Sequence, residues 1–140
     1  MDRELITMSC DPSIRGWGYV VLDSHKNILS VGCIKTEPKA KKLRIRKGDD
    51  DIRRISEINL VLIRLIKHYK VNYIVSELPH GSQSASSAQS IGMVKAILQT
   101  ICDCLGLSND WYSEGDAKLN LLNKRTATKD ETIQAISKLY

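Results

Sequence analysis

Residues 5–22 read LITMSCDPSIRGWGYVVL and contain two apolar runs on either side of a short polar turn. The first run, 5–10, stops at an acid, Asp11. The second run, 17–22, is rich in aromatic and β-branched residues. Both patterns are typical of β-strands. The sequence therefore predicts two strands here, the first of which ends in a carboxylate.

Strand and helix patterns then alternate. A turn-forming cluster at 23–27 and a third apolar run at 28–36 predict three antiparallel strands, because turns this short join antiparallel neighbours. From 49 to 69, apolar residues recur every three or four positions, as on one face of a helix: Ile52, Ile55, Ile58, Leu62, Leu65, Ile66 and Tyr69. A fourth strand at 71–75 ends at Ser76 and Glu77. Since a helix precedes it, we predict that it lies parallel to a neighbour.

The rest of the chain predicts two more helices and one more strand. Residues 81–84 open a helix that Gly106 stops, and a short fifth strand starts at Trp111. After a brief amphipathic segment, 117–122, a last helix begins with Thr128 and Glu131 spaced as a capping box. The fold class is thus α/β, a mixed five-stranded sheet flanked by helices, in one domain over residues 1–140.

Length and composition agree with this reading. The chain has 140 residues, of which 42% are hydrophobic, the size and composition of one globular domain. No apolar run approaches the roughly 18 residues of a membrane span, and the N-terminus lacks the apolar core of a signal peptide. We therefore expect no membrane partner and a cytoplasmic location.

Positive charge is concentrated in one stretch, residues 39–54, which we call the basic segment. It holds eight lysines and arginines and three aspartates, an excess that equals the net charge of +5 of the whole chain. A localised charge predicts an anionic partner, although a solvated loop is the alternative. We expect DNA contacts here and at a later basic turn: Lys39, Lys41, Lys42, Arg44, Arg46, Lys47, Lys124 and Arg125.

The cysteines and histidines lack the sequence spacing of zinc-binding or disulfide motifs. The four cysteines are predicted to be reduced core thiols: Cys10, Cys33, Cys102 and Cys104. The three histidines are isolated in sequence, which disfavours a histidine-based zinc site: His25, His68 and His80.

Two acids follow buried-looking strands. A strand often ends in a charge simply because it reaches solvent, which is a sufficient reading for either acid alone. If the fourth strand packs beside the first, however, Asp11 and Glu77 converge at one sheet edge. Two such carboxylates repel unless a hard cation such as Mg²⁺ lies between them.

Several motifs follow one another along nearly the whole chain. The first is Asp11-Pro12-Ser13 followed by Gly16-Trp17-Gly18-Tyr19. The others are residues 32–36 and 74–77, the helical stretch 84–98, Tyr112 with residues 116–118, and residues 126–129. In this order they resemble RuvC-type Holliday junction resolvases of the RNase H-like nuclease superfamily. The basic segment and the small size are most similar to phage-encoded members, which would place the protein in the bacterial host cytoplasm.

The resemblance implies a function. It implies an RNase H-like fold and a homodimer that cuts four-way DNA junctions with Mg²⁺, for which Mn²⁺ can substitute. By position, Asp11 and Glu77 match the family's first two metal-binding acids. Lys118 and Lys129 match its basic residues near the scissile phosphate. The alternative is a protein that binds junctions without cutting them; an actin-like nucleotide module is disfavoured because the chain lacks further glycine-rich phosphate loops.

The sequence departs from the family at its end. The family's remaining metal acids lie in a final helix as an Asp (or His)-x-x-Asp pair, and this sequence stops at Tyr140 before that helix. We read the chain either as truncated or as a variant with half a site, and predict that it binds junctions but cuts them poorly. A longer version with that helix should cut well. Efficient cutting by the 140-residue form would direct the search for a missing ligand to Asp116, Asp130 and Glu131.

Three further features have two readings each. The serines at 82–90 either contact phosphates or start a helix. The small residues of the same helix serve either a two-fold dimer contact or packing on the sheet: Ala85, Ala88, Gly92 and Ala96. Trp17 is either a base-stacking side chain or a strand-surface aromatic.

Overall fold

The computed structural model describes residues 4–140, in which five strands and five helices follow one another. The strands are β1 (Thr7–Asp11), β2 (Gly16–Leu22), β3 (Ile28–Lys35), β4 (Tyr73–Glu77) and β5 (Ser108–Tyr112). The helices are α1 (Ala40–Leu43), α2 (Lys47–Tyr69), α3 (Ala85–Leu105), α4 (Glu114–Leu122) and α5 (Lys129–Ser137). Within this described range, none of the helices is long and apolar enough to span a membrane.

The strands form one mixed sheet in the order β3-β2-β1-β4-β5. β1 pairs antiparallel with β2, and β2 pairs antiparallel with β3. β4 pairs parallel with both β1 and β5. This topology confirms the predicted mixed sheet with an antiparallel start. It also confirms that the strand after the long helix returns beside β1.

The hydrophobic core lies between the sheet and helices α2 and α3. From the sheet it takes alternate residues of β1, β2 and β4, because successive side chains of a strand point to opposite faces. The helices contribute residues at three- and four-residue spacing. The most buried of these side chains are Met8, Trp17, Val21, Ile58, Leu62, Ile74, Val94, Leu98 and Cys102. The opposite residues of β1 and β4, among them Ser9 and Asp11, therefore face the other side of the sheet.

Helix ends follow the expected capping chemistry. Gly106 ends α3 in the left-handed region, with φ of 64°, as its position in the sequence predicts. Thr128 and Glu131 form the predicted capping box at the start of α5. A second capping box, formed by Ser113 and Asp116, begins α4. Asp116 and Glu131 are thus engaged in holding helix ends.

Some boundaries differ from those that the sequence predicts. The basic segment contains a one-turn helix, α1, and α2 begins at Lys47 instead of Asp49. β5 ends at Tyr112, so the predicted start at Trp111 is wrong, and α4 begins at Glu114 instead of Ala117. Glu114 therefore lies just after the end of β5, whereas a strand that starts at Trp111 would include it.

The predicted burial or exposure of four side chains is also wrong. Trp17 is fully buried in the core, so it is neither a strand-surface aromatic nor available to stack on a base. Ile52, predicted on the packed face of α2, is 63% exposed. Of the four cysteines, Cys33 and Cys104 are exposed because they lie on the solvent faces of β3 and α3.

Candidate active site

Asp11 and Glu77 are the last residues of two neighbouring parallel strands. The pairing of Cys10 with Ser76 is the last in the β1–β4 ladder, so each acid lies one residue further along. Neighbouring strands are about 4.8 Å apart, and two residues at the same level project to the same face. The convergence predicted from the sequence is thus present in the structure.

A cleft of about 440 Å³ opens on the sheet face that carries these acids. Asp11 and Glu77 line it together with Ser113 and Ala117, near the start of α4. Most other lining residues are small or are valines, and two are aromatic, Tyr19 and Tyr112. Tyr19 lies so close over Gly32 that a Cβ there would come within 2.8 Å of its hydroxyl. The acids therefore stand at the rim of an open groove and not in an enclosed cavity.

A third acid, Glu114, faces the pair from α4. One ligand atom from each of Glu77, His80 and Glu114 lies within 4.8 Å of the others, close enough for the three to hold one metal ion. His80 Nε2 lies 3.4 Å from Glu114 Oε2. His80, which is isolated in the sequence, therefore has acidic neighbours in the fold, because the loop after β4 brings it to the start of α4.

The electrostatics of this site are those of crowded carboxylates. Burial, and then the negative charges of Asp11 and Glu114, raise the pKa of Glu77 above its usual value. Lys118 forms an ion pair with Glu114, which lies one helical turn before it. That pairing, with a smaller effect of His80, lowers the pKa of Glu114. One lysine thus serves a site with three carboxylates.

These side chains are a suitable donor set for a divalent cation. Carboxylate oxygens are the preferred ligands of Mg²⁺ and Mn²⁺, and imidazole is compatible with Mn²⁺. The raised pKa of Glu77, caused first by burial and then by the charges of Asp11 and Glu114, agrees with a carboxylate that a bound cation would stabilise. Glu77, His80 and Glu114 are therefore a possible metal-binding group, with Asp11 next to it.

The two predicted lysines lie in different surroundings. Lys118 is at the site, and its side chain is only 18% exposed. Lys129 is the exposed first residue of α5, and within residues 4–140 it forms no ion pair. Its predicted role near a scissile phosphate stays a prediction.

The cations of the basic segment divide into paired and unpaired ones. Arg46 binds Asp49, and Lys47 binds Asp51. Within the described chain, the remaining four predicted contacts have no acidic partner: Lys39, Lys41, Lys42 and Arg44. The later pair is engaged, since Lys124 binds Glu131 and Arg125 binds Asp116. Free positive charge is therefore concentrated at α1.

Sequence reasoning missed Glu114 and His80. Glu114 obeys the same rule as Asp11 and Glu77, because it comes just after a strand at the sheet's carboxyl edge. The error of placing β5 too late hid it. His80 had no sequence signal, since only the fold of the loop brings it to Glu114.

The fold can be compared with solved structures. Thermus thermophilus RuvC in complex with a Holliday junction substrate superimposes with a TM-score of 0.78 at 17% identity, over 96% of this chain and 79% of that chain. The chain has the RuvC fold. A second T. thermophilus RuvC structure gives a TM-score of 0.71 at 16% identity, over the same shares of the two chains.

A eukaryotic structure has the same fold. The yeast mitochondrial Holliday junction resolvase Ydc2 matches with a TM-score of 0.57 at 13% identity, over 95% of this chain and 61% of that one. Sequence comparison with protein-family models and with curated proteins finds no match. The likeness to RuvC therefore lies in the fold, and it confirms the resemblance predicted from the motifs at that level.

Proposed function

We propose that this protein is a metal-dependent endonuclease that acts on branched DNA, with the four-way junction as its substrate. The observation that carries the proposal is the meeting of Asp11 and Glu77 at the ends of two parallel strands, at a groove, with Glu114 close to Glu77. The RuvC fold supports it, since one structure of that fold is a complex with a Holliday junction.

Mg²⁺ is the proposed cofactor, with Mn²⁺ as a substitute. Asp11 and Glu77 would hold it from the sheet, and Glu114 and His80 would add ligands from α4 and the loop before α3. A bound divalent cation of this kind activates water and stabilises the leaving oxygen of a phosphodiester.

The protein's own contribution is to position charge. Lys118 is held beside Glu114 by their ion pair, so an ammonium group lies next to the carboxylates. A phosphate that enters the groove would meet this fixed cation, which orients it and offsets its charge. Burial and two acidic neighbours disfavour the charged form of Glu77, so a bound cation would stabilise this carboxylate strongly. We propose Lys129 as a second basic residue that acts on the DNA from α5.

Binding of the DNA arms is assigned to the exposed cations. Lys39, Lys41, Lys42 and Arg44 carry unpaired charge on one short stretch, which suits sequence-independent phosphate contacts. Arg46, Lys47, Lys124 and Arg125 are proposed to join them by exchanging their present acidic partners for phosphates.

A homodimer is part of the proposal. The small residues of α3 form an exposed stripe, and a Cβ added at Gly92 would meet nothing within 4 Å. A second copy could therefore approach this helix closely across a two-fold axis. Two copies would place two acidic grooves on one junction, as paired nicks require.

The test is nicking of a synthetic four-way junction. We expect Mg²⁺-dependent cuts in the junction, no cuts in a linear duplex of the same sequence, and no cuts in EDTA. Binding of the junction without nicking at any Mg²⁺ or Mn²⁺ concentration would contradict the nuclease and favour the junction-binding alternative. Equal cutting of both DNAs would contradict the preference for branched substrates.

A further inference from the structure

A second pocket, of about 380 Å³, lies between the starts of α2 and α3, and its lining includes the residues that directly follow Asp11 in the chain. We call it the α2–α3 pocket. The loop of residues 12–15 forms one wall, and helix side chains form the others: Lys47, Asp51, Arg54, Ser86, Ser87 and Ser90. With Arg15 from the loop, three cations and one acid line it. The pocket is thus polar and positively charged.

Arg54 is the unusual member of this set. Its side chain is only 6% exposed, and arginine is rarely buried without partners. Nε donates to Thr36 Oγ1 at 2.8 Å, and Nη2 donates to the carbonyl oxygen of Ile14 at 3.2 Å. Nη1 lies 3.6 Å from Asp51 Oδ1 and has no hydrogen bond within the described residues. A buried guanidinium therefore has donor capacity left at the pocket.

The other cations complete a site for an anion. Arg15 is exposed and forms no ion pair within residues 4–140. Lys47 shares Asp51 with Arg54, so one carboxylate is divided between two cations and the pocket retains a net positive charge. Ser86 and Ser87 add hydroxyl groups at the opposite wall. A tetrahedral oxyanion, with several acceptor oxygens, matches such a ring of donors.

The position of the pocket indicates where that anion comes from. Arg15 is four residues after Asp11, so their Cα atoms lie within about 14 Å of each other. Phosphates along one DNA strand are spaced by about 3.4 Å of helix axis. A strand whose phosphate lies at Asp11 can thus place a nearby phosphate of the same strand at Arg15.

We propose that the α2–α3 pocket binds one backbone phosphate of the DNA strand that enters the acidic groove. This inference rests on the proposed function, because it takes the groove as the place of cleavage. Arg15 and Lys47 contact the phosphate, and the buried guanidinium of Arg54 adds positive charge at the base of the pocket. The pocket sets the register of the strand, so that a chosen linkage reaches Asp11 and Glu77.

The decisive experiment removes charge from both partners at once. Junctions carry a single neutral methylphosphonate at each linkage near the crossover in turn, and binding is measured without divalent ions. We expect wild type to lose about tenfold in affinity at one linkage, as for a charged hydrogen bond. Arg15→Gln should lose about the same on the unmodified junction and nothing further at that linkage. Arg64→Gln, an exposed arginine of α2 outside the pocket, is the control and should lose the full tenfold there.

Other outcomes are distinguishable. The affinity of Arg15→Gln for each methylphosphonate junction is compared with the two separate losses of affinity. If these losses simply multiply at every linkage, the pocket does not hold a DNA phosphate and the proposal is wrong. Inorganic phosphate is a second probe, followed by the amide NMR signals of Ser86 and Ser87. Saturable shifts that Arg15→Gln abolishes, with no coupling to DNA, would assign the pocket to a free phosphate and overturn the proposal. Coupling without any nicking would uphold the pocket and contradict the nuclease.

Discussion

The start of α2 and the carboxyl edge of the sheet each hold three acids, but within the described residues Glu114 alone of the three at the sheet edge is paired with a lysine. At the start of α2, Asp49, Asp50 and Asp51 all bind arginine or lysine side chains. Although burial opposes it, hydrogen bonds from Arg53 and from two backbone N–H groups hold the pKa of Asp50 below its usual value. At the sheet edge, burial and neighbouring acids raise that of Glu77.

The difference separates acids that build the fold from acids that remain for a ligand. Asp50 accepts from the backbone N–H groups of Lys39 and Ala40, and so fixes α1 against α2. Within residues 4–140, the side chains of Asp11 and Glu77 form no such hydrogen bond or ion pair. Charge that the fold itself neutralises is structural, and charge that it leaves uncompensated is available for binding.

The largest expected effect is on cleavage. Replacing either strand-end acid by its amide, Asp11→Asn or Glu77→Gln, should lower the rate of junction nicking by about 10³-fold, because a fixed charge at the reacting phosphate is lost. Junction affinity should stay within a few fold, since phosphate contacts elsewhere dominate it. Gel assays of nicking and of binding measure the two separately.

Asp103→Asn is the matched control for this experiment. It is an exposed acid on α3, whose side chain accepts a hydrogen bond from Gln99. Its nicking rate should equal that of wild type. A strand-end amide variant that nicks at the parent rate would remove that acid from the site.

The second effect is on stability. Arg54→Met leaves Asp51 with only Lys47 and leaves the hydroxyl of Thr36 and the carbonyl of Ile14 without their guanidinium donor. Breaking a buried pair in this way costs about 3 kcal/mol. Urea unfolding measures the free energy, and Arg64→Met is the exposed control. Equal stabilities of the two variants would show that the start of α2 does not depend on its ion pairs.

The third effect is on DNA affinity. Lys41→Gln combined with Arg44→Gln removes two unpaired cations and should lower the slope of log K against log salt by about 1.8. Arg46→Gln should change the slope less, because Arg46 already binds Asp49. Fluorescence anisotropy with a labelled junction at several salt concentrations measures both. An unchanged slope for the double variant would mean that α1 is only a solvated connection.

The smallest effect is on the pH dependence of stability. The pKa of Glu77 is raised in the folded state, so the folded state binds this proton more tightly than the unfolded state. Its charge therefore destabilises the fold above the folded pKa, and the effect vanishes below the unfolded pKa. Without metal, Glu77→Gln should raise Tm at pH 7 by about 1–2 °C and leave it unchanged at pH 3. A lower Tm at pH 7 would contradict the uncompensated charge.

Local patterns predicted most of the fold and two of the acids. Strands and long helices carry their own periodicity, so the topology and the convergence of Asp11 with Glu77 could be derived from the sequence. Glu114 required the end of β5, a five-residue strand whose polar residues hide the pattern. The glycines on either side of Trp17 favour an exposed position, yet its side chain is fully buried in the hydrophobic core.

Local sequence patterns do not predict contacts between side chains that are far apart in the sequence. Arg54 bonds to Ile14 and Thr36, which are 40 and 18 residues away, and His80 meets Glu114 across α3 and β5. Such contacts depend on the relative placement of whole elements. Nothing in the sequence around Arg54 distinguishes it from its half-buried neighbour Arg53 or from the unpaired cations near α1.

The parallel pairing of β1 with β4 also orders events during synthesis. Asp11, Glu77 and Glu114 are separated by 103 residues from first to last. At about 5–20 residues per second, a ribosome needs roughly 5–20 s to add that stretch. The basic segment is complete long before the third acid emerges. If the proposed function holds, a nascent chain would have the cations that contact DNA well before it has assembled the carboxylates that would cut it.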